Sequence, residues 1–158
     1  MSIPSNLIIE ADGGSRGNPG IAGSGACVIN ADTGEVVLEI SKFIGVATNN
    51  VAEYLALVAG LEGAYSLNSE ARILVRMDSK LVIEQMAGRW KIKHPDMQQL
   101  GARVQKIVAG KPIRWQWIPR EENSRADALA NKAMDEQGDA VVATSEVGPR
   151  ASVVEFNQ

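Results

Sequence analysis

Four acidic residues stand where the local character of the chain changes. Asp12 precedes Gly13-Gly14, and Glu53 lies in the first turn of the helix that a long Ala/Leu-rich stretch predicts. Asp78 follows the apolar run RILVRM, and Asp127 opens an alanine-rich segment. Carboxylates gathered in a fold supply the oxygen ligands that a hard divalent cation prefers. Each also suits a purely structural role: Asp12 as a turn residue before Gly-Gly, Glu53 as a complement to a helix dipole, Asp78 as a helix N-cap. Ser124-Arg125-Ala126-Asp127 matches a capping pattern at a helix start. Residue types and spacing leave both sets of roles open.

The elements that must position these side chains are legible in outline. Leu7–Ala11 is a short apolar run entering a turn at Asp12-Gly13-Gly14. Gly23–Ala31 and Glu35–Phe43 are two further β-rich runs, and Asp32-Thr33-Gly34 between them suits a hairpin. Val51–Leu67 predicts a helix capped by Asn49 or Asn50, apolar nearly all round and so buried on more than one side. Gly60 and Gly63 inside it predict close packing on a neighbour. Arg72–Met77 predicts a strand, Ser79–Ala87 and Asp96–Ala109 helices, Ile113–Ile118 a fifth strand and Ser124–Gln137 a last helix. The order predicts an α/β domain over residues 1–137 with a five-stranded mixed sheet, an antiparallel meander followed by parallel strands reached through helical crossovers. Crossovers gather strand ends and helix starts at one edge, where all four carboxylates would meet. Residues 138–158 lack periodicity and read as a tail or linker.

Bulk properties narrow the class. At 158 residues, 45% hydrophobic and 22% charged, the chain suits one ordinary globular domain. No apolar run approaches the roughly 18 residues of a membrane span, and the N-terminus lacks the basic and apolar regions of a signal peptide. A cytoplasmic location without membrane partners is the expectation. Cys27, the single cysteine, sits in an apolar run and reads as a buried structural thiol. The net charge of −3 conceals an asymmetry: residues 1–71 carry two basic against eight acidic side chains, and residues 72–132 thirteen against six. Such a chain can fold into a basic surface for phosphates beside an acidic pocket for a divalent metal.

Four segments carry more than composition: IEADGGSRGNPGIAGSGA, ATNNVAEYLALVAGLE, VRMDSKLVIEQM and WIPREENSRADALANKA. Together, and in this order, they resemble ribonuclease H of type 1, in its short archaeal and actinobacterial-like form. The resemblance covers about residues 5–137. It implies an endonuclease that hydrolyses the RNA strand of an RNA/DNA hybrid, leaving 5′-phosphate and 3′-hydroxyl ends. Asp12, Glu53, Asp78 and Asp127 match the family's catalytic, metal-binding tetrad. Two Mg2+ ions, with Mn2+ as a possible substitute, would sit ~3.5–4 Å apart across the scissile phosphate.

The same resemblance implies a substrate surface. Gly13, Gly14 and Ser15 would leave backbone groups open to RNA 2′-hydroxyls in a minor groove. Asn18, Asn49 and Asn50 match positions that contact the hybrid, and Thr48 one in a pocket for a DNA-strand phosphate. Asn123, in the Asn-x-x-x-Asp-x-Leu-Ala pattern, is grouped with the substrate-binding residues.

Two departures from the classical pattern matter. Many relatives have a histidine in the loop before the last aspartate; here the loop is PREENSRAD and the position is Arg120. An arginine does not shuttle protons near neutral pH, but it pairs with phosphate, which suits product release. The lone histidine, His94, lies in WKIKHP, where the roles open to it are phosphate contact, a surface structural role and acid-base work. Only GRWKIKHP replaces the basic protrusion of the classical form. Arg89, Lys91 and Lys93 would make a smaller version, with Trp90 either offering a face to a sugar or base or serving the core. Weaker hybrid affinity than in a form with the full protrusion follows.

Rival readings are a same-fold nuclease acting also or mainly on double-stranded RNA, and a catalytically silent hybrid-binding module; the intact tetrad disfavours the second. A monomer is expected. Short relatives are sometimes the N-terminal part of a larger protein with a phosphatase-like domain, and residues 138–158 read like the start of such a linker.

Overall fold

The computed structural model describes residues 3–143. Three antiparallel strands come first, β1 (Asn6–Arg16), β2 (Gly20–Asn30) and β3 (Val36–Ala47), followed by helix α1 (Asn49–Leu67). Strand β4 (Arg72–Met77), helices α2 (Lys80–Met86) and α3 (Pro95–Val108), strand β5 (Ile113–Trp117) and helix α4 (Ser124–Glu136) complete the expected order. The spatial order is β5-β4-β1-β2-β3-β6, with β1, β4 and β5 mutually parallel.

The sheet has six strands rather than the five expected. The sixth, β6 (Ala140–Ala143), pairs antiparallel with β3 through Leu38↔Ala143 to Ser41↔Ala140. It lies within the stretch read as tail, so the sheet runs past residue 137; the tail from 144 onward lies outside the described residues. Four residues are too few to show a period, and only the free edge of β3 makes them a strand.

Helix α1 packs on β1, β2 and β3. Its apolar circumference is explained by burial on several sides, with Tyr54, Leu57 and Leu61 all inaccessible. The close packing expected at its glycines is present: a Cβ on Gly60 would stand 2.6 Å from Ile9 Cγ2, and one on Gly63 2.7 Å from Leu38 Cδ2. Thr48 caps the helix instead of Asn49 or Asn50, its hydroxyl accepting from the Val51 N–H at 3.3 Å. Helix α4 covers the other face against β1, β2 and β3. Gly25 admits it, since a side chain there would strike the Ala126 carbonyl and the Ala130 N–H.

On the α4 face lies a buried carboxylate. Glu10 is 3% exposed and meets Arg76 at 3.3 Å and Arg125 at 3.4 Å. Arg76 continues to Glu122 at 3.3 Å. Cys27 is buried as expected, with its thiol hydrogen-bonded to Glu10 at 3.4 Å; burial pushes its pKa up. The cluster ties β1 and β4 to the start of α4 and the turn before it.

Candidate active site

Strand β1 does not turn at Asp12-Gly13-Gly14. It continues to Arg16 because β2 supplies partners throughout, Asp12↔Gly25 to Arg16↔Ile21. What ends near Asp12 is the pairing with β4, whose last register pair is Ala11↔Met77. Two parallel strands in that register deliver Asp12 and Asp78 side by side at their C-terminal edge, where α/β sheets place their sites. The Asp78 carbonyl is held by Trp117 Nε1 at 3.2 Å.

Glu53 arrives from α1. The helix begins at Asn49, so Glu53 falls beyond its first turn, and a helix-dipole role is weak there. Its carboxylate accepts the Gly13 N–H at 2.8 Å. Gly13 must be glycine, because a Cβ would collide with the backbone of Ala52 and Glu53. Asp12, Glu53 and Asp78 thus each offer an oxygen within 4.8 Å of the other two. Asp127, in the first turn of α4, lines the same cleft of about 410 Å³ and shares a hydrogen bond with Asp12.

Such crowding is expensive for ionised carboxylates. Burial, then the charge of Asp78 and the hydrogen bond with Asp127, raise the Asp12 pKa to about 8. Glu53 is also raised well above the ordinary range, chiefly by burial and then by Asp12, against the opposing hydrogen bond from Gly13. Arg120 lines the cleft and lowers both. An all-oxygen donor set holding uncompensated negative charge fits a hard divalent cation and suits no soft metal.

Around the carboxylates a second cluster fastens the Gly17-Asn18-Pro19-Gly20 loop to the start of α1. Ser15 Oγ donates to the Ala47 carbonyl at 2.6 Å and accepts the Asn18 N–H at 3.2 Å. The Ser15 N–H donates to Asn49 Oδ1 at 2.7 Å, and the Asn49 N–H to Asn18 Oδ1 at 3.0 Å. The N–H groups of Gly13 and Ser15, expected to be open, are therefore engaged internally. The side-chain carbonyls of Asn18 and Asn49 are engaged too, which leaves their NH2 groups as the available donors. Asn50 is exposed on the first turn of α1 and does not line the cleft.

Of the remaining expected substrate residues, Thr48, His94 and Trp90 do not line the cleft that holds the carboxylates. Thr48 borders a separate shallow pocket with Pro19, Val51, Asp96 and Gln99. His94 caps α3, its Nδ1 accepting the Asp96 N–H at 3.1 Å, and its side chain is exposed. Trp90 is 46% exposed, so it does not serve the core. Asn123 is 1% exposed and points inward, donating to the Ala11 carbonyl and to Asp78. Part of the basic surplus is paired internally: Arg76, Arg89, Arg103, Arg125 and Lys132 each meet a glutamate. Sequence reasoning missed Arg16 and Asn131 in the cleft wall. Arg16 binds Asp135 at 2.7 Å and Asn131 at 3.2 Å. Asn131 was legible in principle, one helical turn after Asp127.

Comparison with known proteins agrees with this geometry. The reverse transcriptase-like family matches residues 10–133. The bifunctional protein Rv2228c of Mycobacterium tuberculosis is 51% identical over 142 residues, covering 89% of this chain and 38% of that one. This chain therefore spans well under half the length of that relative. Ribonuclease H of Alcanivorax borkumensis is 36% identical over 152 residues, covering 83% of this chain and 93% of its own. Among solved structures, LC11-RNase H1 in complex with an RNA/DNA hybrid superposes with a TM-score of 0.79 at 39% identity, over 84% of this chain and 99% of that one. With the strand order, the converging carboxylates and these relatives in agreement, the chain belongs to the type 1 ribonuclease H family.

Proposed function

We propose that this chain hydrolyses the RNA strand of RNA/DNA hybrids with divalent cations, leaving 5′-phosphate and 3′-hydroxyl ends. The observation that carries the reading is the convergence of Asp12, Glu53 and Asp78 within 4.8 Å, with Asp127 on the same cleft. It is supported by a family relative that binds such a hybrid. Two Mg2+ ions held by the four carboxylates would acidify a water for attack and stabilise the leaving 3′-oxygen; Mn2+ offers the same chemistry.

The chain's own residues supply the rest. Gly13 holds Glu53 against the cluster through its N–H. Asn18 and Asn49, held in the Ser15 cluster through their side-chain oxygens, would offer their amide donors to the 2′-hydroxyls of a minor groove. Asn50 adds an exposed amide on the same helix turn. Thr48 would contact a phosphate of the uncut strand, as the family resemblance implies, although the pocket it borders carries Asp96 and no cation of its own; His94 and Trp90 are exposed and would be further contacts. Arg120 lines the same cleft, where it would be the cation available to a cleaved phosphate, and this supports a role in product release.

The test is a cleavage assay on matched RNA/DNA, RNA/RNA and DNA/DNA duplexes in Mg2+, Mn2+ or EDTA. Cutting of the RNA strand in the hybrid, abolished by EDTA, is expected. DNA/DNA cutting or activity in EDTA would overturn the reading, and preference for RNA/RNA would move it to a double-stranded RNA nuclease.

A further inference from the structure

Beyond Ala11 and Met77 no ladder holds β1 to β4, although Asp12 and Asp78 stand there. One side chain occupies the gap. Asn123 Nδ2 donates to the Ala11 carbonyl at 2.9 Å and to Asp78 Oδ1 at 2.8 Å, so both of its protons are used. Its Oδ1 is buried and finds no partner among the described residues. Turning the amide over would aim that oxygen at a carbonyl and a carboxylate, so the observed orientation is the one the surroundings enforce. A buried acceptor left without a partner is destabilising. An apolar residue would fill the same space without that penalty, so space-filling alone does not account for an amide here.

The backbone of Asn123 adds a third link. Its N–H donates to the Arg120 carbonyl at 2.9 Å, and its carbonyl accepts the Asp127 N–H at 3.1 Å. One residue therefore joins the strand position before Asp12, the carboxylate of Asp78 and the helical turn that carries Asp127. The donor is neutral, so it orients Asp78 without cancelling the charge a cation needs, as a lysine or arginine at 123 would.

We infer that Asn123 is a positioning residue for the carboxylate cluster, setting Asp78 against Asp12 for divalent cation binding, and is not a contact to nucleic acid. This rests on the metal-site reading of the cleft. The experiment is calorimetric titration of the metal-free protein with Mn2+, for the native chain, Asn123→Ala and Asn123→Leu, with circular dichroism as the check on folding. The leucine variant refills the volume without donors. Hybrid affinity is measured alongside, in EDTA, by fluorescence anisotropy.

Loss of a residue that orients a metal ligand typically lowers affinity about 10–100-fold. That loss is expected in both variants, with hybrid affinity in EDTA unchanged. Native-like Mn2+ affinity in a folded variant would overturn the inference, as would a fall in hybrid affinity with Mn2+ binding intact. Failure of both variants to fold would assign the residue to the fold alone and overturn it too. If the native chain itself takes up no Mn2+, the metal reading beneath it fails, a result distinct from the others.

Discussion

Replacing Asp12 by asparagine should stabilise the metal-free protein, and increasingly so as the pH rises. The carboxyl is raised to about 8 in the fold, first by burial and then by Asp78 and Asp127, against an ordinary value of about 3.9 in the unfolded chain. Between those values the folded state binds more protons than the unfolded one, so stability falls as pH rises from about 4 to about 8 and levels off above. Two unit charges no more than 4.8 Å apart repel by at least about 3.5 kcal/mol at an effective dielectric of 20. Proton sharing and the open mouth of the cleft relieve part of this, leaving on the order of 2 kcal/mol between pH 5 and pH 9. For a domain of this size that corresponds to about 4–8 °C in Tm. Scanning calorimetry in EDTA should show Asp12→Asn nearly matching the native chain at pH 5 and exceeding it by that margin at pH 9. A Tm difference that is flat in pH, or that shrinks as pH rises, would refute the electrostatic account. Adding Mg2+ should flatten the native profile, because the cation replaces the protons the cluster otherwise retains.

Gly13→Ala should destabilise the fold by about 3 kcal/mol, the upper end for overpacking because the obstruction is backbone, and lower hybrid cleavage at least about tenfold by displacing Glu53; native-like unfolding and activity would contradict the packing argument. Arg120→Ala should slow multiple-turnover cleavage more than single-turnover cleavage, and equal effects on both would remove Arg120 from product release. Glu10→Gln should lower the urea midpoint by the equivalent of about 1–2 kcal/mol, since it leaves Arg76 and Arg125 without their buried partner while both remain partly solvated. An unchanged midpoint would show that the cluster contributes nothing to stability.

The order of elements and the identity of the carboxylates were legible without coordinates. Period-two runs, a long helix apolar on all sides and glycines inside it report burial directly, because burial is what those patterns encode. The motif words around Asp12, Glu53, Asp78 and Asp127 marked the cluster although each residue alone suited a turn, a cap or a helix dipole. What only the tertiary structure decided were the places where a partner distant in sequence sets the outcome. Strand β1 runs through Asp12-Gly13-Gly14, a sequence that reads as a turn, because Ser24 and Gly23 lie opposite Gly13 and Gly14. Ala140–Ala143 is a strand because β3 offers it an edge. A motif position records that an asparagine stands at 123 but not which way it faces; packing turned it from the substrate side to Asp78. Local sequence carries propensity and periodicity, whereas register, edge pairing and side-chain direction belong to contacts across the whole chain.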